Sequence, residues 1–187
     1  MTKNLTLILG GARSGKSHYA EQLAAQLGDD SVLYVATAQP FDDEMKARIA
    51  QHQAERPSSW STVEAPRQVG TAIMDHYAAT TTPEKVVLLD CLTVLTSNLL
   101  LPFEDPFDPA VEETVNYEVD SLIQCIKSVE ANFIIVSNEV GLGLVPPYPL
   151  GRAYRDLLGR SNQRLAQLAD RVLFMVAGLP MVVKEST

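Results

Sequence analysis

The sequence is poor in cysteine and lacks an excess of positive charge. Its two cysteines, Cys91 and Cys125, lie in apolar segments without C-x-x-C spacing, which indicates buried thiols rather than a disulfide framework. The formal net charge of −8 disfavours nucleic acid and anionic membranes as partners, because both select proteins with a basic face. We therefore expect neither kind of partner.

Long hydrophobic runs are also absent from the sequence. No apolar stretch approaches the roughly 20 residues that span a bilayer, and no segment of signal-peptide type precedes the first apolar run. With 187 residues, 46% of them hydrophobic and 20% charged, the chain has the balance of one globular domain. We expect a single domain over residues 1–187, in the cytoplasm and without membrane insertion.

Short apolar runs alternate with longer helix-compatible segments along the chain. Because each run is apolar almost throughout, the pattern predicts strands covered on both faces, in an α/β fold with a mainly parallel sheet flanked by helices. The predicted strands are residues 5–9, 32–36, 86–89, 133–137, 172–176 and an edge strand over 181–184. The predicted helices are residues 17–27, 41–56, 68–77, 92–101, 109–129 and 150–169.

The most informative motif follows the first predicted strand. Four residues complete the G-x-x-x-x-G-K-[ST] phosphate-loop pattern: Gly10, Gly15, Lys16 and Ser17. Its glycines allow the backbone to curl so that N–H groups point at phosphate oxygens. Lys16 is then placed to reach the β- and γ-phosphates and Ser17 to hold Mg²⁺, while the start of the next helix adds its positive end. With Arg13, this lysine concentrates positive charge in an acidic chain, and we predict nucleotide binding.

Two further predicted strands lead into acidic residues. The run 86–89 ends in Asp90, the usual form of a Walker B element. Since ligands of open parallel sheets collect at the carboxyl ends of strands, we expect Asp90 beside the phosphate loop, binding Mg²⁺ directly or through water. The alternative is that Asp90 only caps the following helix. The run 133–137 leads to Glu139, and the spacing suits equally a role in orienting an attacking hydroxyl or water and a role in anchoring the next loop.

A combination of segments resembles one family over nearly the whole chain. The phosphate-loop variant GGARSGKS at 10–17 is accompanied by motifs at many later positions. These are YVATA at 34–38, DDEM at 42–45, RI at 48–49, His52, RP at 56–57, Trp60, Glu64, LLDCLT at 88–93, NLL at 98–100, SNEVG at 137–141, VP at 145–146 and GRSNQR at 159–164. Together they resemble the bifunctional adenosylcobinamide kinase/adenosylcobinamide-phosphate guanylyltransferase of cobalamin biosynthesis.

The resemblance implies two reactions on one RecA-like phosphate-loop domain. A nucleoside triphosphate, ATP or GTP, phosphorylates the aminopropanol hydroxyl of adenosylcobinamide. GTP then guanylylates a histidine with loss of pyrophosphate, and adenosylcobinamide phosphate takes the GMP to give adenosylcobinamide-GDP. A neutral imidazole suits this task, because a phosphoramidate divides one displacement into two. The resemblance also implies a homotrimer.

Carried over position by position, the resemblance assigns the site residues. Lys16 and His52 are the expected catalytic residues, and Ser17 and Asp90 the expected Mg²⁺ ligands. The expected nucleotide contacts are Gly10, Gly11, Ala12, Arg13, Ser14, Gly15, Lys16, Ser17, Ala36, Thr37, Ala38, His52, Gln53, Ala54, Glu55, Glu64 and Asp90.

One position departs from the family pattern. The guanylylated histidine of well-known members aligns with Gln51, and a second histidine aligns with His52. Glutamine cannot act as the phosphorus nucleophile, so either His52 replaces it or the guanylyltransferase activity is lost or altered. Since neighbouring helical residues point about 100° apart, the replacement requires a small rotation or register shift. We predict His52 as the nucleophile. The alternatives are a small-molecule kinase without guanylyl transfer and a nucleotide-dependent switch.

Overall fold

The computed structural model describes residues 3–40, 43, 46, 47, 54 and 56–186. Seven strands and five helices lie within these residues. The strands are β1 (Leu5–Gly10), β2 (Val32–Ala36), β3 (Ser61–Glu64), β4 (Val86–Asp90), β5 (Asn132–Val136), β6 (Arg171–Val176) and β7 (Leu179–Glu185). The helices are α1 (Lys16–Gly28), α2 (Val69–Ala79), α3 (Leu92–Leu100), α4 (Pro109–Ser128) and α5 (Pro149–Leu168). Across the described residues, no helix has the length and apolarity needed to cross a membrane.

All seven strands join one sheet in the order β3-β2-β4-β5-β1-β6-β7. The first six strands pair in parallel, and β7 pairs with β6 in the antiparallel sense. Parallel neighbours need long crossovers, which the helices between the strands supply, whereas a two-residue turn suffices for β6 and β7. The mainly parallel α/β sheet that the sequence predicts is confirmed, as is its edge strand.

Successive side chains of each strand point to opposite faces of the sheet, so the core consists of two parts, one on each face. In β4, Val87 and Leu89 belong to a cluster with residues of α2, α3, α4 and α5. Val86 and Leu88 belong to a second cluster, on the face covered by α1. Each fully buried side chain of this size contributes roughly 1.5–3 kcal/mol. The sheet is therefore held rigidly from both sides, and its carboxyl edge can position side chains accurately.

The predicted elements agree with the structure to within two residues at each end, with two exceptions. The strand β3 is absent from the prediction, because its four residues alternate in exposure at the sheet edge and carry a weak signal. The predicted helix over 41–56 falls mostly outside the described residues, where Asp43, Lys46, Ala47 and Ala54 are helical. In that part, Lys46 Nζ donates to Asp43 Oδ1 at 2.9 Å, a contact one helical turn apart.

Candidate active site

The phosphate loop connects β1 to α1, and its backbone requires glycine at both ends. Gly15 precedes α1 with φ of +89°, a left-handed conformation that costs other residues strain. Gly10 has φ of +155°, and a Cβ there would lie 2.7 Å from the carbonyl oxygen of Met175. The loop also touches the β6–β7 turn, since Gly178 N–H donates to Ser14 O at 3.0 Å. These contacts give the loop one defined shape.

Lys16 begins α1 with its side chain inside the curve of this loop. The residue is 8% exposed, and its Nζ donates to Gly11 O at 2.5 Å and to Ser14 Oγ at 3.4 Å. Burial lowers the pKa of Lys16, while Cys91 and Asp90 act in the opposite direction. Because burial raises the pKa of Cys91 to about 12, its thiol is neutral near pH 7 and adds no negative charge beside Lys16. A cation in such a sheltered place attracts phosphate more strongly than one in water.

The register of the sheet aligns three predicted site residues along the carboxyl edge. Glu64 pairs with Ala36, Ala36 pairs with Asp90, and Asp90 pairs with Val136 of β5, the neighbour of β1. Neighbouring strands lie about 4.8 Å apart. Asp90 is therefore two strand spacings, roughly 10 Å, from β1, and Glu64 is four strand spacings, roughly 19 Å, from β1. The sheet thus places Asp90 on the phosphate-loop side, as the sequence predicts. Glu64 lies at the opposite end of the row.

Asp90 is held by a tyrosine that sequence reasoning missed as a site residue. Tyr34 is 3% exposed, and its hydroxyl donates to Asp90 Oδ2 at 3.1 Å. Burial, and then the carboxylate, raise the pKa of Tyr34, so the phenol remains a protonated donor. The guanidinium carbon of Arg56 lies 3.4 Å from the centroid of the same ring. A tyrosine inside a buried strand was the available signal, because its hydroxyl needs a partner.

Thr37 joins the ends of β2 and β4 from a fully buried position. Its Oγ1 accepts from Cys91 N–H at 2.9 Å and donates to Cys91 O at 2.8 Å. Asn98 Nδ2 donates to Thr37 O and to Pro66 O, at 2.9 Å each. The flanking Ala36 and Ala38 are half-buried at the same strand end. Thr37 therefore has a structural role here, and its contact with nucleotide stays a prediction.

Glu139 links the end of β5 to the phosphate loop. Its backbone N–H donates to Gly10 O at 3.0 Å, and its Oε1 accepts from Gly141 N–H at 2.6 Å. These contacts favour the loop-anchoring role over the orientation of an attacking group. Further along α5, Asn162 accepts from Ser137 Oγ at 2.7 Å and donates to Asn138 O at 3.0 Å, fixing the chain just before Glu139.

The predicted nucleophile and its neighbours are not among the described residues. His52, Gln53 and Glu55 lie outside them, as does Gln51. Ala54 is described and is helical and exposed. The roles assigned to this segment by the resemblance stay predictions, and Arg56 is the residue that ties its C-terminal flank to the site.

Ser17 and Asp90 form a donor set that fits Mg²⁺. A hydroxyl and a carboxylate are hard oxygen ligands, and Mg²⁺ typically takes one or two protein ligands together with phosphate oxygens and water. In the parts of the chain with described placement, no group of three or more His, Cys, Asp or Glu could hold a metal by itself.

Comparison with known proteins gives a family match over most of the chain. A model of the family described as cobinamide kinase / cobinamide phosphate guanyltransferase matches residues 6–183. The bifunctional adenosylcobalamin biosynthesis protein CobU of Escherichia coli (strain K12) is 43% identical over 187 residues, covering 96% of this chain and 99% of the relative. The corresponding CobP of Pseudomonas aeruginosa (strain PAO1) is 44% identical over 178 residues, covering 95% and 96%.

The solved structures give an independent comparison of the fold. The ATPase domain of G40P superposes with a TM-score of 0.54 at 14% identity, over 92% of this chain and 69% of that one. At this identity the likeness concerns the fold alone.

Proposed function

Since this chain belongs to the cobinamide kinase / cobinamide phosphate guanyltransferase family, we propose that a single phosphate-loop site performs both of its reactions. The chain is a transferase of adenosylcobalamin biosynthesis, first a kinase and then a guanylyltransferase. The observation that carries the proposal of a single site is the convergence of Lys16, Asp90 and the Tyr34–Arg56 pair at one sheet edge.

The kinase step uses the loop to hold and neutralise the transferred phosphoryl group. Lys16 and the loop N–H groups bind the γ-phosphate oxygens, where charge is spread in the transition state. Ser17 and Asp90 would hold Mg²⁺, which would supply positive charge to neutralise the phosphates. The acceptor is the aminopropanol hydroxyl of adenosylcobinamide, and ATP or GTP is the donor.

The guanylyl step requires a nucleophile near the α-phosphorus, and His52 is our assignment. In this step the imidazole nitrogen forms a bond to the α-phosphorus of GTP and pyrophosphate leaves. The cobinamide phosphate oxygen then displaces the imidazole and takes the GMP. The support for this assignment is that Arg56, four residues beyond His52 in sequence, stacks on the tyrosine that binds Asp90. Glu64, at the far end of the strand row, is the proposed contact to the nucleoside end of GTP.

Incubation with GTP labelled at the α-phosphate tests the nucleophile directly. We expect an acid-labile, alkali-stable protein adduct that is lost in His52→Ala and retained in the neighbouring control Gln51→Ala. In parallel, the kinase activity of the same variants is measured with cobinamide and γ-labelled nucleotide. Adduct formation that survives His52→Ala contradicts the assignment, and cobinamide phosphorylation without any adduct favours the kinase without guanylyl transfer.

We also propose that the protein assembles as a homotrimer through β7. The strand lies at the sheet edge, and its apolar side chains are exposed at Leu179, Met181, Val182 and Val183. An unpaired edge strand can pair with another chain, and contiguous exposed apolar patches mark interaction sites. Light scattering coupled to size-exclusion chromatography should give three times the 20.4 kDa chain mass, and a Val183→Lys variant should reduce it.

A further inference from the structure

A second exposed apolar surface lies next to the phosphate loop. It belongs to residues 141–148, here called the apolar loop, which form the second part of the connection between β5 and α5. Leu142 is 79% exposed and Leu144 is 96% exposed, and Val145 and Tyr148 are exposed as well. Isolated exposed apolar residues are ordinary, but four within one short loop beside a site are typical of a binding surface.

The apolar loop is held in place at both of its ends. At its start, Gly141 N–H donates to the carboxylate of Glu139, whose own N–H donates to Gly10 O in the phosphate loop. At its end, Arg152 Nη1 donates to Pro146 O at 3.1 Å and to Pro147 O at 2.9 Å. The two prolines restrict the backbone further. The loop therefore presents its leucines on a preformed support attached directly to the nucleotide site.

We propose that the apolar loop binds the corrin ring of the cobinamide substrate, an inference that rests on the proposed function. The acceptor hydroxyl must reach the γ-phosphate at the phosphate loop, so the macrocycle that carries it must lie beside that loop. A corrin ring offers a broad apolar face edged with amide groups. Leu142 and Leu144 would pack against the face, while backbone N–H and C=O groups of the loop pair with the amides. The same contacts serve cobinamide phosphate in the guanylyl step.

The position of the apolar loop favours the corrin ring as the group that it binds. The loop begins two residues after Glu139, whose backbone is bonded to Gly10, so anything packed on its leucines lies at the carboxyl edge where the phosphoryl group is transferred. The exposed strand β7, by contrast, is an edge strand, with an open side along which another copy of the chain can pair. The apolar loop is tied to the phosphate loop through Glu139, whereas, within the described residues, β7 meets the phosphate loop only at the turn that precedes Leu179.

Kinetics of Leu144→Ser and of the double variant with Leu142→Ser test the inference. We expect KM for cobinamide to rise about tenfold or more, equivalent to about 1.4 kcal/mol, with kcat at saturation and the dissociation constant for GTP unchanged. KM for cobinamide phosphate should rise by a similar factor. Leu101→Ser is the matched control. Leu101 is 58% exposed and directly follows the C-terminal end of α3, whereas Asp90 precedes the N-terminal end of that helix. The KM of this variant for cobinamide should equal that of the unmodified chain.

Each other outcome has a distinct meaning. An unmodified chain that does not phosphorylate cobinamide refutes the proposed function itself. An active chain whose KM is unaffected by Leu144→Ser overturns the inference about the loop. A rise in KM together with a loss of oligomer mass also overturns it, since the loop would then contact a second copy. A weakening of GTP binding by the same factor as the rise in KM for cobinamide overturns it as well, because the apolar loop would then be acting through the phosphate loop.

Discussion

Replacing Tyr34 by phenylalanine tests whether Asp90 must be oriented for the kinase step. The change removes one hydroxyl, which donates to Asp90 Oδ2 at 3.1 Å. It keeps the aromatic ring on which Arg56 stacks at 3.4 Å, so the packing of the buried strand is preserved. The variant therefore separates the hydrogen bond from the volume of the side chain.

The magnitude follows from the kind of bond that is lost. A hydrogen bond to a charged group contributes about 1.5–3 kcal/mol. Asp90 is half-buried, so water can replace part of the lost donation, and the lower end of the range applies. Partners that orient a metal ligand typically change metal affinity by about 10–100-fold. We expect the half-saturating Mg²⁺ concentration to rise about tenfold in Tyr34→Phe, and kcat/KM at limiting Mg²⁺ to fall by the same factor.

The assay is a Mg²⁺ titration of cobinamide phosphorylation, with thermal unfolding measured in parallel. Tyr77→Phe is the matched control, because it removes a hydroxyl that donates to Glu84 O at 2.8 Å, away from the carboxyl edge. The control should lose a little stability and keep its Mg²⁺ dependence. A Tyr34→Phe enzyme with unchanged Mg²⁺ dependence refutes the orienting role of this tyrosine. An equal loss in both variants attributes the effect to folding instead.

Two further predictions concern stability and the shape of the phosphate loop. Burial raises the pKa of Glu84, but hydrogen bonds from Ser61 and His76 outweigh burial, and the net effect is a lowered pKa. The carboxylate therefore stabilises the fold fully at pH values above its ordinary pKa of 4.5. This stabilisation is lost as the pH falls through the lowered pKa of the folded state. Glu84→Gln should therefore lower the free energy of unfolding, measured in urea at pH 7, by about 1–2 kcal/mol. The difference from the unmodified protein should be smaller near pH 3. A difference that does not change with pH would contradict the lowered pKa. Gly10→Ala should weaken GTP binding about 5- to 150-fold in a calorimetric titration, since its Cβ would meet Met175 O at 2.7 Å and the cost of overpacking is about 1–3 kcal/mol. Gly159→Ala, whose Cβ meets nothing within 4 Å, should bind GTP normally.

The phosphate loop and Asp90 were predictable because their signals are local. The loop needs glycine at fixed offsets, and a lysine and serine follow at the start of the helix. Asp90 needs only the rule that parallel strands bring their carboxyl ends together. Once the sheet was recognised from its apolar runs, the placement of Asp90 near the loop followed without any knowledge of the strand order. The structure adds that the order β2-β4-β5-β1 puts one strand between them.

The support around Asp90 was not predictable, because its members are distant in sequence. Tyr34 and Asp90 are 56 residues apart in sequence, and Asn98 lies 61 residues from Thr37 and 32 residues from Pro66. No periodic pattern marks such pairs. A tyrosine in a buried strand indicates that its hydroxyl needs a partner, but it does not indicate which residue that partner is. The strand β3 was missed for a related reason, since its pairing with β2 depends on tertiary contact more than on the preference of four alternating residues.

Two reactions at one site require attack at two different phosphorus atoms, and the contacts in the structure indicate which part of the site is fixed. The phosphate loop has little freedom, because Gly10 faces Met175 and Gly178 is bonded to Ser14. Asp90 is equally constrained by its tyrosine. The phosphate loop and Asp90 therefore form the fixed part of the site. Because Arg56 stacks on the tyrosine that orients Asp90, Tyr34→Phe should slow the guanylyl step as well as the kinase step.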